Sequence, residues 1–232
     1  MVKERSSRKA IRLTNKGFIY KSAKKYDKAE VLFKRALEIE RNTFGNEHLD
    51  VAIALNNLGM LYFEKGDLKK AEPLYKMALE ITERLSGKED PTIATYLSNL
   101  GTLYLLQERY AEAEFLVKRA LEIHKKSLGG DNPDVATDLN NLGSIYFKLG
   151  SYQDAERLYK ESLAIDEEVL TKNHNDVAIR LSNLGMLYEK QGRYDEAIDC
   201  LYRAQKIYGK SPTPPVNVEQ IDRLIEQIKQ KK

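Results

Sequence analysis

Residues 55–62 read Leu-Asn-Asn-Leu-Gly-Met-Leu-Tyr, and residues 97–104 repeat the phrase as Leu-Ser-Asn-Leu-Gly-Thr-Leu-Tyr. The step between them is 42 residues, and it recurs along the chain. Gly17, Gly59, Gly101, Gly143 and Gly185 obey it, as do Asn15, Asn57, Asn99, Asn141 and Asn183. Tyr20, Tyr62, Tyr104, Tyr146 and Tyr188 form a third column, Ala29, Ala71, Ala113, Ala155 and Ala197 a fourth, and Ile39, Ile81, Ile123, Ile165 and Ile207 a fifth. Five columns in step are beyond chance, so the chain is five copies of one unit.

Within a unit the apolar spacing is helical. Leu55, Leu58, Leu61 and Tyr62 fall on one stripe, and a second stripe runs through Leu68, Ala71, Leu74, Tyr75, Ala78, Leu79 and Ile81. Gly66 ends the first helix, and Asp50, Thr92, Asp134 and Asp176 are the expected N-caps. Each unit is then a helix hairpin of roughly 14 and 18 residues, about 21 and 27 Å long at the helical rise. Gly59 and Ala78 are expected on facing helices, where a missing side chain lets backbones approach. A glycine inside a helix costs about 1 kcal/mol relative to alanine, so five copies imply a packing reason. One hairpin cannot bury its own apolar face, so neighbours must stack into a solenoid.

These residues resemble the tetratricopeptide repeat. Leu55-x2-Leu58-Gly59-x2-Tyr62 followed by Ala71-x3-Tyr75 and Ala78 matches its pattern, with leucine in the usual tryptophan slot. The usual unit is about 34 residues with a closing proline; here Glu83 stands in that slot and eight further residues complete the unit. The 42-residue length and the loop Gly130-Asp131-Asn132-Pro133-Asp134-Val135-Ala136 look like the kinesin light chain type. The resemblance spans about residues 8–210. It implies an all-α fold: a right-handed α-α superhelical solenoid of five such hairpins plus a C-terminal capping helix, in a single domain over 1–232. The repeats fall at about 8–49, 50–91, 92–133, 134–175 and 176–211, and the capping helix at about 216–230.

The ends depart from the pattern. Lys16 replaces the leucine of Leu58, Leu100, Leu142 and Leu184, and Arg8, Lys9 and Arg12 share its helix. A solvated N-terminal cap and the loss of earlier repeats both account for this. Pro212, Pro214 and Pro215 break the chain, after which Val218, Ile221, Leu224, Ile225 and Ile228 outline an amphipathic helix. Gln227 falls where the next column glycine would be, so this helix caps the array instead of extending it.

Opposite the buried stripe, the first helix of the second copy carries Ile53, Asn56, Asn57, Met60, Phe63 and Glu64. The resemblance implies that this side lines the concave surface where extended peptides bind. Asn57, Asn99, Asn141 and Asn183 then stack into a ladder whose amides suit a peptide backbone. Bonding between neighbouring repeats suits them equally. Met60, Phe63, Leu105, Phe147 and Met186 are the apolar groove candidates, with inter-repeat packing as the alternative, and His124 is a groove contact. Relatives that clamp a carboxylate or an acidic peptide place Lys or Arg one turn before the asparagine and at the end of the preceding second helix. Those positions here hold Ile11, Ile53, Thr95, Thr137 and Ile179, and Glu40, Thr82, His124 and Asp166. The absence of a basic clamp implies a neutral to mildly basic, partly apolar peptide partner.

Composition excludes several other functions. The 232 residues are 42% apolar and 31% charged, which excludes a disordered chain, and no window approaches a membrane span. The net charge of +3 is made of +4 at residues 1–12, +4 at residues 203–232 and −5 between. A nucleic-acid surface needs its positive charge along one working face, so nucleic acid is not the expected partner. No phosphate-binding loop, metal set or nucleophile–base pair occurs, so neither catalysis nor a cofactor is expected. Cys200 sits in the core column of Leu32, Leu74, Leu116 and Leu158 and, being alone, fits a reducing cytosol. The leading expectation is a monomeric, non-catalytic, cytoplasmic interaction scaffold. Its competitors are a solenoid that self-assembles end to end and a regulatory or adaptor fragment of a larger protein.

Overall fold

The structure is a computed structural model, and it describes residues 2–172, 174–210 and 218–231. Among them are eleven helices and no strand: α1 Val2–Ser22, α2 Tyr26–Phe44, α3 Leu49–Glu64, α4 Leu68–Ser86, α5 Pro91–Leu106, α6 Tyr110–Leu128, α7 Pro133–Lys148, α8 Tyr152–Val169, α9 Asn175–Lys190, α10 Tyr194–Tyr208 and α11 Val218–Lys231. They fall into two compact units that divide at Ile123/His124. In the first, α1 packs on α2 and α3 on α4, and the hairpins meet through α2 on α3 and α4 on α5. In the second, α7 packs on α8, α9 on α10, and α8 meets α9. The expected amphipathic helix is α11, which lays Ile221, Ile225 and Ile228 on α10. The interruption at Pro212, Pro214 and Pro215 lies outside the described residues.

The first helices of these repeats start two residues earlier than the sequence reading expects, because the caps lie two positions earlier. His48, Asp90, Asn132 and His174 accept the backbone N–H groups of Asp50, Thr92, Asp134 and Asp176. The expected caps are therefore second-position residues. The two histidines act as acceptors through Nδ1, at 3.2 and 3.3 Å. At the hairpin turns Gly66 takes φ +79°, and in the next repeat Glu108 holds the same left-handed conformation at +62°.

The glycine column does face the second helix, but what stands against Gly59 is a large side chain and not the methyl of Ala78. A Cβ on Gly59 would stand 2.8 Å from the Tyr75 ring, and one on Gly101 2.5 Å from Val117 Cγ2. Phe33, Tyr159 and Leu201 fill the same space opposite Gly17, Gly143 and Gly185. Each glycine is thus a socket for the large side chain sixteen residues later. Cys200 is only half-buried, packed against the core of the second unit, and burial pushes its thiol up.

The tyrosine column has a role that an apolar stripe did not announce. The hydroxyls of Tyr62, Tyr104 and Tyr188 donate to Glu30, Glu72 and Glu156 of the preceding repeat, at 2.9, 3.3 and 3.3 Å. Lys34 and Lys65 hold the Glu30 carboxyl down to about 2. Burial works upward on Glu72 and Glu156, but Lys76 and Arg109, and Arg193 and Lys160, outweigh it and bring both to about 2. A carboxyl with a depressed folded pKa adds stability above its unfolded value and loses it as pH falls toward the folded one. The urea midpoint is therefore expected to fall steadily between about pH 4.5 and pH 2. Glu72→Gln should flatten that slope; an unchanged slope would show that the network is not what titrates.

Candidate peptide-binding groove

The exposed faces of α1, α3 and α5 in the first unit, and of α7 and α9 in the second, carry the predicted groove residues. Asn99 Nδ2 donates to Asn56 Oδ1 at 3.0 Å, and Asn183 Nδ2 to Asn140 Oδ1 at 2.6 Å. Each of these ladder amides spends one donor on the neighbouring column of the previous repeat and keeps a second donor and its oxygen. Asn141 is also engaged. Asn57 differs: it makes no hydrogen bond among the described residues, and the position that would receive it in the first repeat is Thr14.

The apolar candidates are spread over both units. Met60, Phe63 and Leu105 are half-buried on the first unit, and Met60 Sδ accepts from Asn56 at 3.6 Å. Phe147 packs against Tyr152, with centroids 5.8 Å apart, and Met186 is 40% exposed. Ile11 and Ile53, one turn before the asparagines, are 54% and 47% exposed.

His124 does not belong to this surface. It is 4% exposed, and its Nδ1 lies 2.7 Å from Asp138 Oδ2 in the interior of the second unit. The whole set Glu40, Thr82, His124 and Asp166 is buried where one hairpin meets the next. Each member faces the residue fourteen positions on. Thr82 meets Tyr96, and its own hydroxyl donates to the Ala78 carbonyl at 3.0 Å. Asp166 accepts from Arg180 Nε at 3.1 Å, and Arg180 Nη2 also reaches Thr137 Oγ1 at 3.0 Å. Burial pushes Asp166 up and Arg180 down, the cost of removing both charges from water. The complementary types at a spacing of fourteen were visible in the sequence, but only as pairs of columns that no single-helix pattern links.

Two cavities open on the predicted groove side. One, of about 240 Å³, lies between α1, α2 and α3 and is lined by Asn15, Glu40, Asp50, Ile53, Ala54 and Asn57, among others. The second, of about 190 Å³, lies between α9, α10 and α11, where Asn183, Met186, Tyr208 and Leu224 contribute. Among the described residues no three His, Cys, Asp or Glu side chains cluster to hold a metal ion. No described helix is long and apolar enough to cross a membrane.

A stacked array of two-helix units with glycine sockets and polar junctions defines a helical-repeat protein. The family model described as tetratricopeptide repeat matches four overlapping windows, residues 10–84, 51–126, 92–168 and 134–210. The chain belongs to the tetratricopeptide repeat family. Its fold is similar to that of BtubC (BKLC) from P. vanneervenii, at 24% identity and a TM-score of 0.70, with 93% of each chain covered. A putative kinesin light chain with nearly identical TPR-like repeats from Podosopora anserina is similar at 21% identity and a TM-score of 0.70, covering 88% of this chain and 96% of that one. No curated protein matches the sequence. Tetratricopeptide repeats generally serve as scaffolds for protein–protein interaction.

Proposed function

We propose that this protein is a non-catalytic scaffold that binds an extended partner segment along the first-helix face, with the first unit supplying a principal contact. The observation that carries the reading is the free amide of Asn57 beside exposed Ile53 and Ile11, on the rim of an open cavity. An amide with two donors and an acceptor can bond a peptide backbone, while the two isoleucines offer apolar contact. The partner is neutral to mildly basic and partly apolar, since no lysine or arginine lines that cavity. The protein works as a monomer in the cytoplasm, without nucleic acid or a cofactor.

The test is selection of random nine-residue peptides on the full chain, followed by affinity measurement. Ile53→Ser and Asn57→Ala should each weaken the selected peptides by about tenfold, the worth of one lost contact of about 1.4 kcal/mol. Phe115→Ser, on an exposed side chain of α6 away from this face, should leave affinity unchanged. Peptides indifferent to both groove variants, or a selection that yields none, would overturn the reading.

A further inference from the structure

The repeat supplies its own comparison for one buried group. At the later junctions the residue fourteen places after the buried polar side chain reaches back to it: Tyr96 to Thr82, Asp138 to His124, Arg180 to Asp166. At the first junction that place is Ala54, a methyl group, and the residue it should satisfy is Glu40. Glu40 is 5% exposed, and its Oε2 is sealed from solvent with no hydrogen-bond partner among the described residues. The volume that a tyrosine, aspartate or arginine fills elsewhere is here the cavity of about 240 Å³, and both Glu40 and Ala54 line it. The register extends further. Thr137, which binds the far end of the Arg180 guanidinium, corresponds to Ile11 on the rim of the same cavity. Burial pushes the Glu40 carboxyl above the ordinary range, and the like charge of Asp50, also in the lining, adds to the shift. An unpaired buried carboxylate beside a second one is an unfavourable arrangement that a bound cation would relieve.

We propose that this cavity receives a lysine or arginine side chain from the partner segment, whose cationic head pairs with Glu40 and Asp50 in the place that Arg180 occupies against Asp166. The proposal rests on the groove reading for the source of the cation. It gives the partner a fixed basic position, in register with the Asn57 amide that holds the backbone next to it. Specificity would come from the mismatch between Glu40 and Ala54, which only the first junction contains.

The experiment has two arms. In the first, N-acetylarginine methylamide and its neutral citrulline counterpart are titrated into the full chain labelled with 13C-glutamate. The Glu40 carboxyl resonance, assigned by its loss in Glu40→Gln, is followed. A saturable shift with arginine, at least about tenfold weaker with citrulline, is expected for a charge-assisted contact. Ala54→Arg, which copies Arg180, should abolish that shift by filling the pocket from within. No shift, equal shifts from both compounds, or a shift that survives Ala54→Arg in a chain of normal helicity would overturn the proposal.

In the second arm, the selected nine-residue peptides should carry Lys or Arg at one constant position. Citrulline there should weaken binding to wild type by about tenfold or more but have a clearly smaller effect on binding to Glu40→Gln, which keeps only Asp50. Peptides lost on Asn57→Ala yet indifferent to citrulline would sink the cation pocket and leave the groove standing. An arginine-specific shift with an empty peptide selection would do the reverse.

Discussion

Arg180→Ala is expected to destabilise the second unit by about 3–5 kcal/mol, the penalty for breaking a buried ion pair from one side. Arg180 is 4% exposed, and its guanidinium bonds Asp166 Oδ2 and Thr137 Oγ1. Truncation removes both bonds and strands a carboxyl whose other oxygen already lacks a partner. Against a typical domain stability of about 5–15 kcal/mol this is a large fraction. The pH dependence carries the diagnosis. Burial already raises the Asp166 carboxyl with the arginine present, and without it the folded pKa should rise further. A carboxyl with a raised folded pKa is least costly when protonated, so its contribution is lost as pH rises. The deficit relative to wild type should therefore be larger at pH 7 than at pH 4, measured by urea unfolding followed by helicity. Replacing both partners with apolar residues, as in Asp166→Leu/Arg180→Met, should recover most of the loss. A deficit below about 1 kcal/mol, no more than one ordinary hydrogen bond contributes, with no pH dependence would show that the pair is not what joins α8 to α9.

Gly101→Val should lower the melting temperature by roughly 6–12 °C, from an overpacking cost of about 3 kcal/mol in a chain of this size. In an open helix the same change would remove the propensity penalty of glycine. Here a Cβ would stand 2.5 Å from Val117 Cγ2 and 3.4 Å from the Ala113 carbonyl oxygen. The first contact can be relieved by trimming a side chain, whereas the second involves backbone. Val117→Ala combined with Gly101→Ala should thus restore part of the stability lost by Gly101→Ala alone, as a coupled pair does in a double-mutant cycle. An unchanged melting temperature for Gly101→Val would mean that the socket is not tight.

Much of this was legible in the residues. The 42-residue step set the number of hairpins, and the helical stripes set which faces are buried. Both follow from local rules, since helical periodicity and repetition leave marks on a single line of sequence. The position of the caps was misplaced by two residues because His48 and His174 do not read as capping residues until their Nδ1 atoms are seen against the N–H groups. Two small residues, Gly59 and Ala78, suggest close backbones on facing helices. In fact each glycine admits one large side chain from the facing helix.

The groove was less legible, for a physical reason. Whether Asn57 and Asn99 are free or engaged depends on what stands on the next hairpin: Asn56 receives Asn99, while Thr14 fails to receive Asn57. The same holds for Glu40, His124 and Asp166, which the resemblance placed beside the expected groove and packing between helices buries. The sequence by itself determined the repeat, the all-helical class and the family. Only the tertiary structure decided which polar side chains are spent within the array, because burial and hydrogen-bond satisfaction arise between elements whose residues are distant in the chain. It also decided that Glu40, facing the methyl of Ala54, has an Oε2 without a partner among the described residues.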